Sequence, residues 1–281
     1  MSRIRIKHTT GYRYEAPAMA SYNEARMLPV SSDGQFVIYS NLDIHPYTSM
    51  NQYDDYWGTR VTSFDVLNPH SELQLTAESL VEVRPRLMRG HVISWEQLGK
   101  LVQRSTKYVE QLVQTDRTVP ADDLVEKAKE IADGADTPDE AAAAIARMVG
   151  EEIEYISGVT HVHTLAREAW VNKKGVCQDI AHITIGALRA VGIPAIYVSG
   201  YLHPKPDAEV GETVTGESHA WVEWFTGDWF PWDPTNLIDI GERHVRVGYG
   251  RDYNDVPPLR GVFAGSGKSE LFVTVEITKE S

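Results

Sequence analysis

The chain has one cysteine, Cys177, in the segment Gly-Val-Cys-Gln-Asp at 175–179. Apolar residues then recur at helical spacing, which predicts that Cys177 lies in the first turn of a helix. The unpaired N–H groups and the dipole of a helix start favour the thiolate, which is the nucleophilic form of cysteine. The same N–H groups could bind an oxyanion. A lone cysteine is also commonly a small buried apolar residue, so both interpretations stay open here.

A nucleophilic cysteine needs a base and a group that orients the base. His182 lies five residues along the helix, about 140° around its axis, so we predict a structural role for it, bonded to Asp179 or to the N-terminal domain. His219 begins an alternating strand, and a Thr-Gly turn at 226–227 returns the chain so that Asp233 comes back towards it. The alternative is a half-buried strand histidine and an aspartate that starts a turn.

Two further histidines, His161 and His163, would point the same way on an extended strand. Together with Cys177 or His219 they could form a metal site. The sequence has no second cysteine and no helical histidine pair to complete the set, so we predict no metal and no other cofactor.

The pattern of elements predicts an α+β fold in three parts. Alternating β-branched and aromatic runs predict an all-β N-terminal domain over residues 1–85. A boundary follows at 85–90, and helix-start signals at Ser94, Ala121 and Thr137-Pro138 predict a helical connecting region over 86–155. Residues 156–281 are predicted to mix helix and strand as the catalytic core, and they contain Cys177, His219 and Asp233.

The composition limits the classes of function. The formal net charge is −13 and the sequence pI is about 5.2, which argues against binding to nucleic acid or docking on an anionic membrane. No signal-like or membrane-spanning apolar run is present, and a single cysteine forms no internal disulfide. These features predict a cytoplasmic location.

Three segments resemble the core motifs of the transglutaminase-like superfamily, which uses a Cys-His-Asp triad on a papain-related α+β core. They are Gly-Val-Cys-Gln-Asp (175–179), Ser-His-Ala-Trp-Val-Glu (218–223) and Trp-Asp-Pro-Thr-Asn (232–236). The segment Ile-Lys-His-Thr-Thr-Gly-Tyr-Arg-Tyr (6–14) resembles the β-domain that precedes this core in a bacterial subgroup. The resemblance implies that Cys177 is the nucleophile, His219 the general base and acid, and Asp233 the orienting acid.

The same resemblance implies a cleft for a peptide or protein substrate. We expect four side chains to contact that substrate: His163, Trp170, Gln178 and Trp221. The second donor to the oxyanion is expected to be a side chain near Trp170 or His163. For Trp221 the alternative to substrate contact is packing in the core.

The expected reaction is acyl transfer through a thioester, with hydrolysis of peptide or isopeptide bonds as the leading prediction. A protein-glutamine transglutaminase that uses an amine acceptor is one alternative. A non-catalytic peptide-binding module on the same scaffold is another, and a metalloenzyme that uses His161 and His163 is a third. The sequence does not specify an oligomeric state.

Overall fold

The structure is a computed structural model and describes residues 1–84, 92–216 and 218–281. The first part of the chain is entirely β, as the alternation of residue types predicts. Its six strands are β1 (Ser2–Ala18), β2 (Ala20–Ala25), β3 (Gln35–His45), β4 (Met50–Asp54), β5 (Arg60–Val66) and β6 (His70–Val83). In β6 buried and exposed positions alternate along most of the strand, which places one face on a core.

The N-terminal sheets are completed by strands from the far end of the chain, and this differs from the linear division at residue 156. These strands are β10 (Thr213–Gly216), β15 (Leu259–Ala264) and β16 (Ser269–Lys279). The sheet orders are β10-β16-β1-β6-β3 and β15-β2-β5-β4. Strand β16 covers the free edge of β1, from Ile4 opposite Lys279 to Tyr14 opposite Ser269. The unpaired backbone groups of a long edge strand explain why β1 takes a partner.

The helices are α1 (Trp95–Arg104), α2 (Val109–Leu112), α3 (Asp122–Gly134), α4 (Pro138–Glu152), α5 (Ala166–Asn172) and α6 (Cys177–Ala190). Ser94 and Thr137 cap α1 and α4 through reciprocal bonds with Gln97 and Glu140, so both predicted starts are confirmed. The predicted boundary at 85–90 lies outside the described residues. None of the described helices combines the length and apolar character needed to cross a lipid bilayer.

A second five-stranded sheet carries two of the predicted site residues. Its strands are β9 (Ala195–Leu202), β11 (His219–Phe225), β12 (Trp229–Asp233), β13 (Ile238–Asp239) and β14 (His244–Gly250), in the order β13-β12-β11-β9-β14. The short strands β7 (Glu154–Tyr155) and β8 (Lys174–Gly175) form a separate parallel pair just before α6. Helix α6 packs on β9 and β11 within one apolar core, and the α+β prediction is confirmed.

The N-terminal sheet packs directly against this second sheet. Their shared core includes Ile6 and Val81 from one side and Tyr201 and Val245 from the other. The Gln35 side-chain amide donates to the Arg246 carbonyl and accepts from the Arg246 N–H, both at 2.8 Å. Strand β14 is therefore held by the N-terminal sheet through its apolar side chains and through the backbone groups of Arg246, which matters for the site described next.

Candidate active site

Cys177 is the first residue of α6, as the apolar spacing predicts, and its side chain is partly exposed. The helix start is fixed by Asp179, whose Oδ2 accepts from the Val176 N–H at 2.9 Å and from the Thr160 hydroxyl at 2.7 Å. Among the described residues, no group accepts a hydrogen bond from the Cys177 N–H. A donor at the positive end of a helix is thus available beside the sulfur.

Gly175 is required by close packing, and its φ is not in the left-handed region. A Cβ on Gly175 would lie 2.7 Å from Asp179 Cβ and 2.9 Å from Asp179 Oδ2. The aspartate that caps the helix therefore occupies the space that a side chain would need.

Replacing Gly175 with alanine should displace this cap and move Cys177. We expect Gly175→Ala to lower the free energy of unfolding by about 1–3 kcal/mol, the usual cost of overpacking. Urea unfolding measures the loss, and Gly99→Ala is the matched control because nothing lies within 4 Å of its added Cβ. Equal stability of Gly175→Ala and the wild type would contradict the packing argument.

His219 and Asp233 meet at one end of the β11–β12 hairpin. The two strands pair antiparallel from Phe225 opposite Trp229 to Val222 opposite Trp232, which returns the chain to the start of β11. The His219 Nε2 lies 2.7 Å from the Asp233 Oδ2. Asp233 is completely buried, whereas the His219 side chain is 11% exposed. The contact predicted from the strand order is therefore present.

Asp233 accepts more hydrogen bonds than the sequence predicts. Its Oδ1 accepts from the backbone N–H groups of Thr235 and Asn236 at 3.0 and 3.2 Å. Its Oδ2 accepts from the Asn236 side-chain amide at 2.8 Å and lies 3.4 Å from His244 Nε2. Burial alone would raise the pKa of the Asp233 carboxyl, but the bonds from His219 and His244 outweigh it and hold the pKa below its usual range.

The His219 ring also interacts with the Cys177 side chain. Because Nε2 is bonded to Asp233, Nδ1 is the ring nitrogen left to face the sulfur. Burial of the ring would lower its pKa, but the hydrogen bonds to Asp233 and Cys177 raise the pKa of His219 to about 10. The bond to Asp233 and the neighbouring Cys177 side chain therefore both favour the protonated imidazole.

Two tryptophans predicted to contact the substrate are buried. Trp170 is fully buried, its indole N–H donates to Asp123 Oδ2 at 2.9 Å, and the Lys173 ammonium lies 2.9 Å from the ring centroid. It joins α5 to α3 and does not line a cleft. Trp221 is 1% exposed and packs edge-on against the His244 ring at 5.4 Å between centroids. Both predictions are wrong, because an aromatic side chain of either type fills a core as readily as a groove.

His163 lies on the loop that borders the start of α6, and Gln178 is the second residue of that helix. The Gln178 amide donates to the Val162 carbonyl at 3.3 Å, and the Arg117 guanidinium donates to the same carbonyl. Arg117 also lies 3.2 Å from His163 Nδ1 and donates to the Asn254 side chain at 2.9 Å. The buried Arg117, which no sequence motif indicated, holds this loop beside the helix that carries Cys177.

The described side chains include one group with metal-ligand spacing, and it contains neither His161 nor His163. It consists of His219, Asp233 and His244, whose ligand atoms all lie within 4.8 Å of one another. These are the same atoms that make the hydrogen bonds of the site. No sequence motif indicated His244, which is the first residue of β14.

His182 has the structural role predicted for it, although its partner differs. Its Nε2 accepts from the Tyr253 backbone N–H at 3.1 Å, and its ring lies on the Tyr197 ring at 5.1 Å. Burial, reinforced by the charge of Arg117, lowers the pKa of His182 to about 3. It is therefore a neutral acceptor at neutral pH, bonded neither to Asp179 nor to the N-terminal strands.

Comparisons with known proteins agree with the fold. Residues 4–82 match the family model of the bacterial transglutaminase-like N-terminal region, and residues 125–234 match that of the transglutaminase-like superfamily core. The chain therefore belongs to the transglutaminase-like superfamily.

Relatives match the chain along nearly its whole length. An uncharacterized protein of Mycobacterium leprae is 45% identical over 279 residues, which are 99% of each chain. An uncharacterized protein of Mycobacterium tuberculosis is 31% identical over 293 residues, covering 98% of this chain and 92% of its own. A solved structure of a proposed cysteine protease from Cytophaga hutchinsonii has a TM-score of 0.78 and 20% identity, covering 100% of this chain and 91% of that chain. At 20% identity, the likeness to the Cytophaga structure shows a shared fold alone.

Proposed function

We propose that this chain is a thiol-dependent acyl-transfer enzyme that cleaves peptide or isopeptide amide bonds through a thioester. The observation that carries the proposal is the 2.7 Å contact of the His219 ring with the buried Asp233 carboxylate, while Cys177 at the start of α6 acts on the same ring. A nucleophile, a base and an orienting acid in this order are what covalent catalysis on an amide requires. The cysteine protease description of the Cytophaga chain is of the same general kind.

The proposed reaction has two halves. The Cys177 sulfur attacks the amide carbonyl carbon, and the Cys177 N–H at the helix start stabilises the negative oxygen. The C–N bond then breaks, and the departing amine takes the proton held by His219. In the second half a water molecule gives a proton to His219 and its oxygen attacks the thioester carbonyl, releasing the acid and the thiolate. Asp233 keeps the imidazole oriented in both halves.

The pH dependence of cleavage should reflect the raised pKa of His219. The departing amine needs the imidazolium proton, which is present below the His219 pKa of about 10 and lost as the pH rises through it. We expect kcat/KM to stay high from neutral pH upward and to fall only near that value. A pH profile of peptide cleavage is the measurement, and an alkaline limb near the ordinary histidine value of 6.5 would count against this account.

One experiment distinguishes hydrolysis, amine transfer and peptide binding without catalysis. A peptide library is incubated with the protein, with and without a primary amine, and the products are read by mass spectrometry. Cleavage that does not depend on the amine supports the proposed hydrolase. Incorporation of the amine at glutamine identifies a transglutaminase instead.

A peptide-binding module without catalysis would leave the library intact. Iodoacetamide labelling is a second measurement, because Cys177 is the only cysteine in the chain. The proposal predicts labelling at neutral pH that is faster than for a free thiol and slower in His219→Ala. An intact library, together with ordinary labelling that His219→Ala does not change, would favour the binding module.

A further inference from the structure

We infer that His244 is a positioning residue of this site, a fourth member of the chain of contacts that holds Asp233 in place for His219. This inference rests on the proposed function for its catalytic consequence. The contact that it assigns joins His244 Nε2 to Asp233 Oδ2 over 3.4 Å. No sequence motif indicates a role for His244.

The proton on the His244 ring can be placed from its other contact. The Gly241 backbone N–H donates to His244 Nδ1 at 3.3 Å, so Nδ1 is an acceptor and carries no proton. A neutral ring then carries its proton on Nε2, the atom that faces Asp233. Burial lowers the pKa of His244 and keeps the ring neutral, against the opposing effect of Asp233. His244 therefore donates a hydrogen bond to the Asp233 carboxylate through Nε2.

Three charged groups act on the His244 ring, and their effects oppose one another. Asp233 is the anion beside the ring, while His219 and Arg243 are the cations that act on it. With Asn236 and His219, His244 supplies the third side-chain donor to Asp233 Oδ2. Because each donor stabilises the charged carboxylate, losing one should weaken the hold of Asp233 on the His219 proton.

The position of His244 depends on the whole sheet. It begins β14, where it pairs with Leu202 of β9, and β9 and β11 separate it from β12, which carries Asp233. Strand β14 is held in turn by Gln35 of the N-terminal sheet through both backbone groups of Arg246. The N-terminal β region thus supports the catalytic carboxylate through β14.

The test compares three substitutions in the full chain. His244→Phe keeps a ring against Trp221 but removes the donor. We expect kcat to fall about 10-fold or more with KM unchanged, as for a lost hydrogen bond to a charged group. His244→Gln, whose amide restores a donor, should recover most of the loss. His203→Phe replaces another buried histidine, whose ring bonds to the Lys205 carbonyl, and should change neither quantity.

A readout that needs no substrate separates this inference from the proposed function. NMR titration of the His219 ring should show its pKa lower in His244→Phe than in the wild type, near the wild-type value in His244→Gln, and unchanged in His203→Phe. If His244→Phe does not fold, a wild-type-like titration and kcat in His244→Asn, which is too short to reach Asp233, would overturn the inference. An unchanged titration in a folded His244→Phe would also overturn it. A shifted titration in a protein without acyl-transfer activity would refute the function and leave the positioning role standing.

Discussion

Cys177→Ala should abolish acyl transfer, with a fall in kcat on the order of 10⁴-fold or more. Without the sulfur no thioester can form, and no nucleophile remains beside His219. The side chain is partly exposed at a helix start, so alanine fits the site without a cavity and the protein should stay folded. Peptide cleavage and intact-protein mass, which reports the trapped acyl-enzyme, are the measurements.

The control for this variant is the urea midpoint, which should match the wild type within error. Lys174→Ala is a second control, because it lies three residues before Cys177 and its exposed side chain forms only a loose ion pair with Glu154, at 3.8 Å. Cleavage by Cys177→Ala at the wild-type rate would mean that the thiol is not the nucleophile, whatever the arrangement of His219 and Asp233.

Asp233→Asn should have the second largest effect, a fall in kcat of about 10³- to 10⁴-fold. The amide has nearly the same shape but no charge, so it no longer stabilises the His219 cation and it presents donors to atoms that are themselves donors. Because the bond to Asp233 raises the His219 pKa, that pKa should fall and the alkaline limb of the pH profile should move to lower pH. The measurements are kcat and the pH profile together.

A nearby carboxylate gives the matched control. Asp239 lies on the adjacent strand, is exposed, and pairs through its backbone with Trp232. Asp239→Asn removes the same charge from the strand paired with β12, and it should leave kcat and the pH profile unchanged. If the two variants lose activity equally, the effect comes from general charge and not from the bond to His219.

Local patterns in the sequence were sufficient for several elements of the site. The apolar spacing after Cys177 predicted the start of α6, and the Ser94 and Thr137 caps predicted two more helix starts. Each of these signals acts within a few residues, where backbone hydrogen bonding and side-chain period are decided. The Thr-Gly turn at 226–227 likewise predicted the hairpin that brings Asp233 back to His219.

The predictions that failed concern exposure and distant partners. Trp170 and Trp221 are aromatic, and residue type does not say whether such a side chain lines a groove or fills a core. The alternation in β1 shows which face is buried but not which strand covers its edge. That partner, β16, comes from the opposite end of the chain. The linear division of the chain therefore missed it.

The sequence by itself determined the family, the α+β class and the local elements that carry Cys177, His219 and Asp233, because these depend on short-range periodicity and on three compact motifs. Only the tertiary structure decided that His219 contacts Asp233, that Arg117 holds the bordering loop, and that His244 reaches Asp233. Those contacts depend on sheet order and register, which arise when strands far apart in the chain bury their apolar faces together.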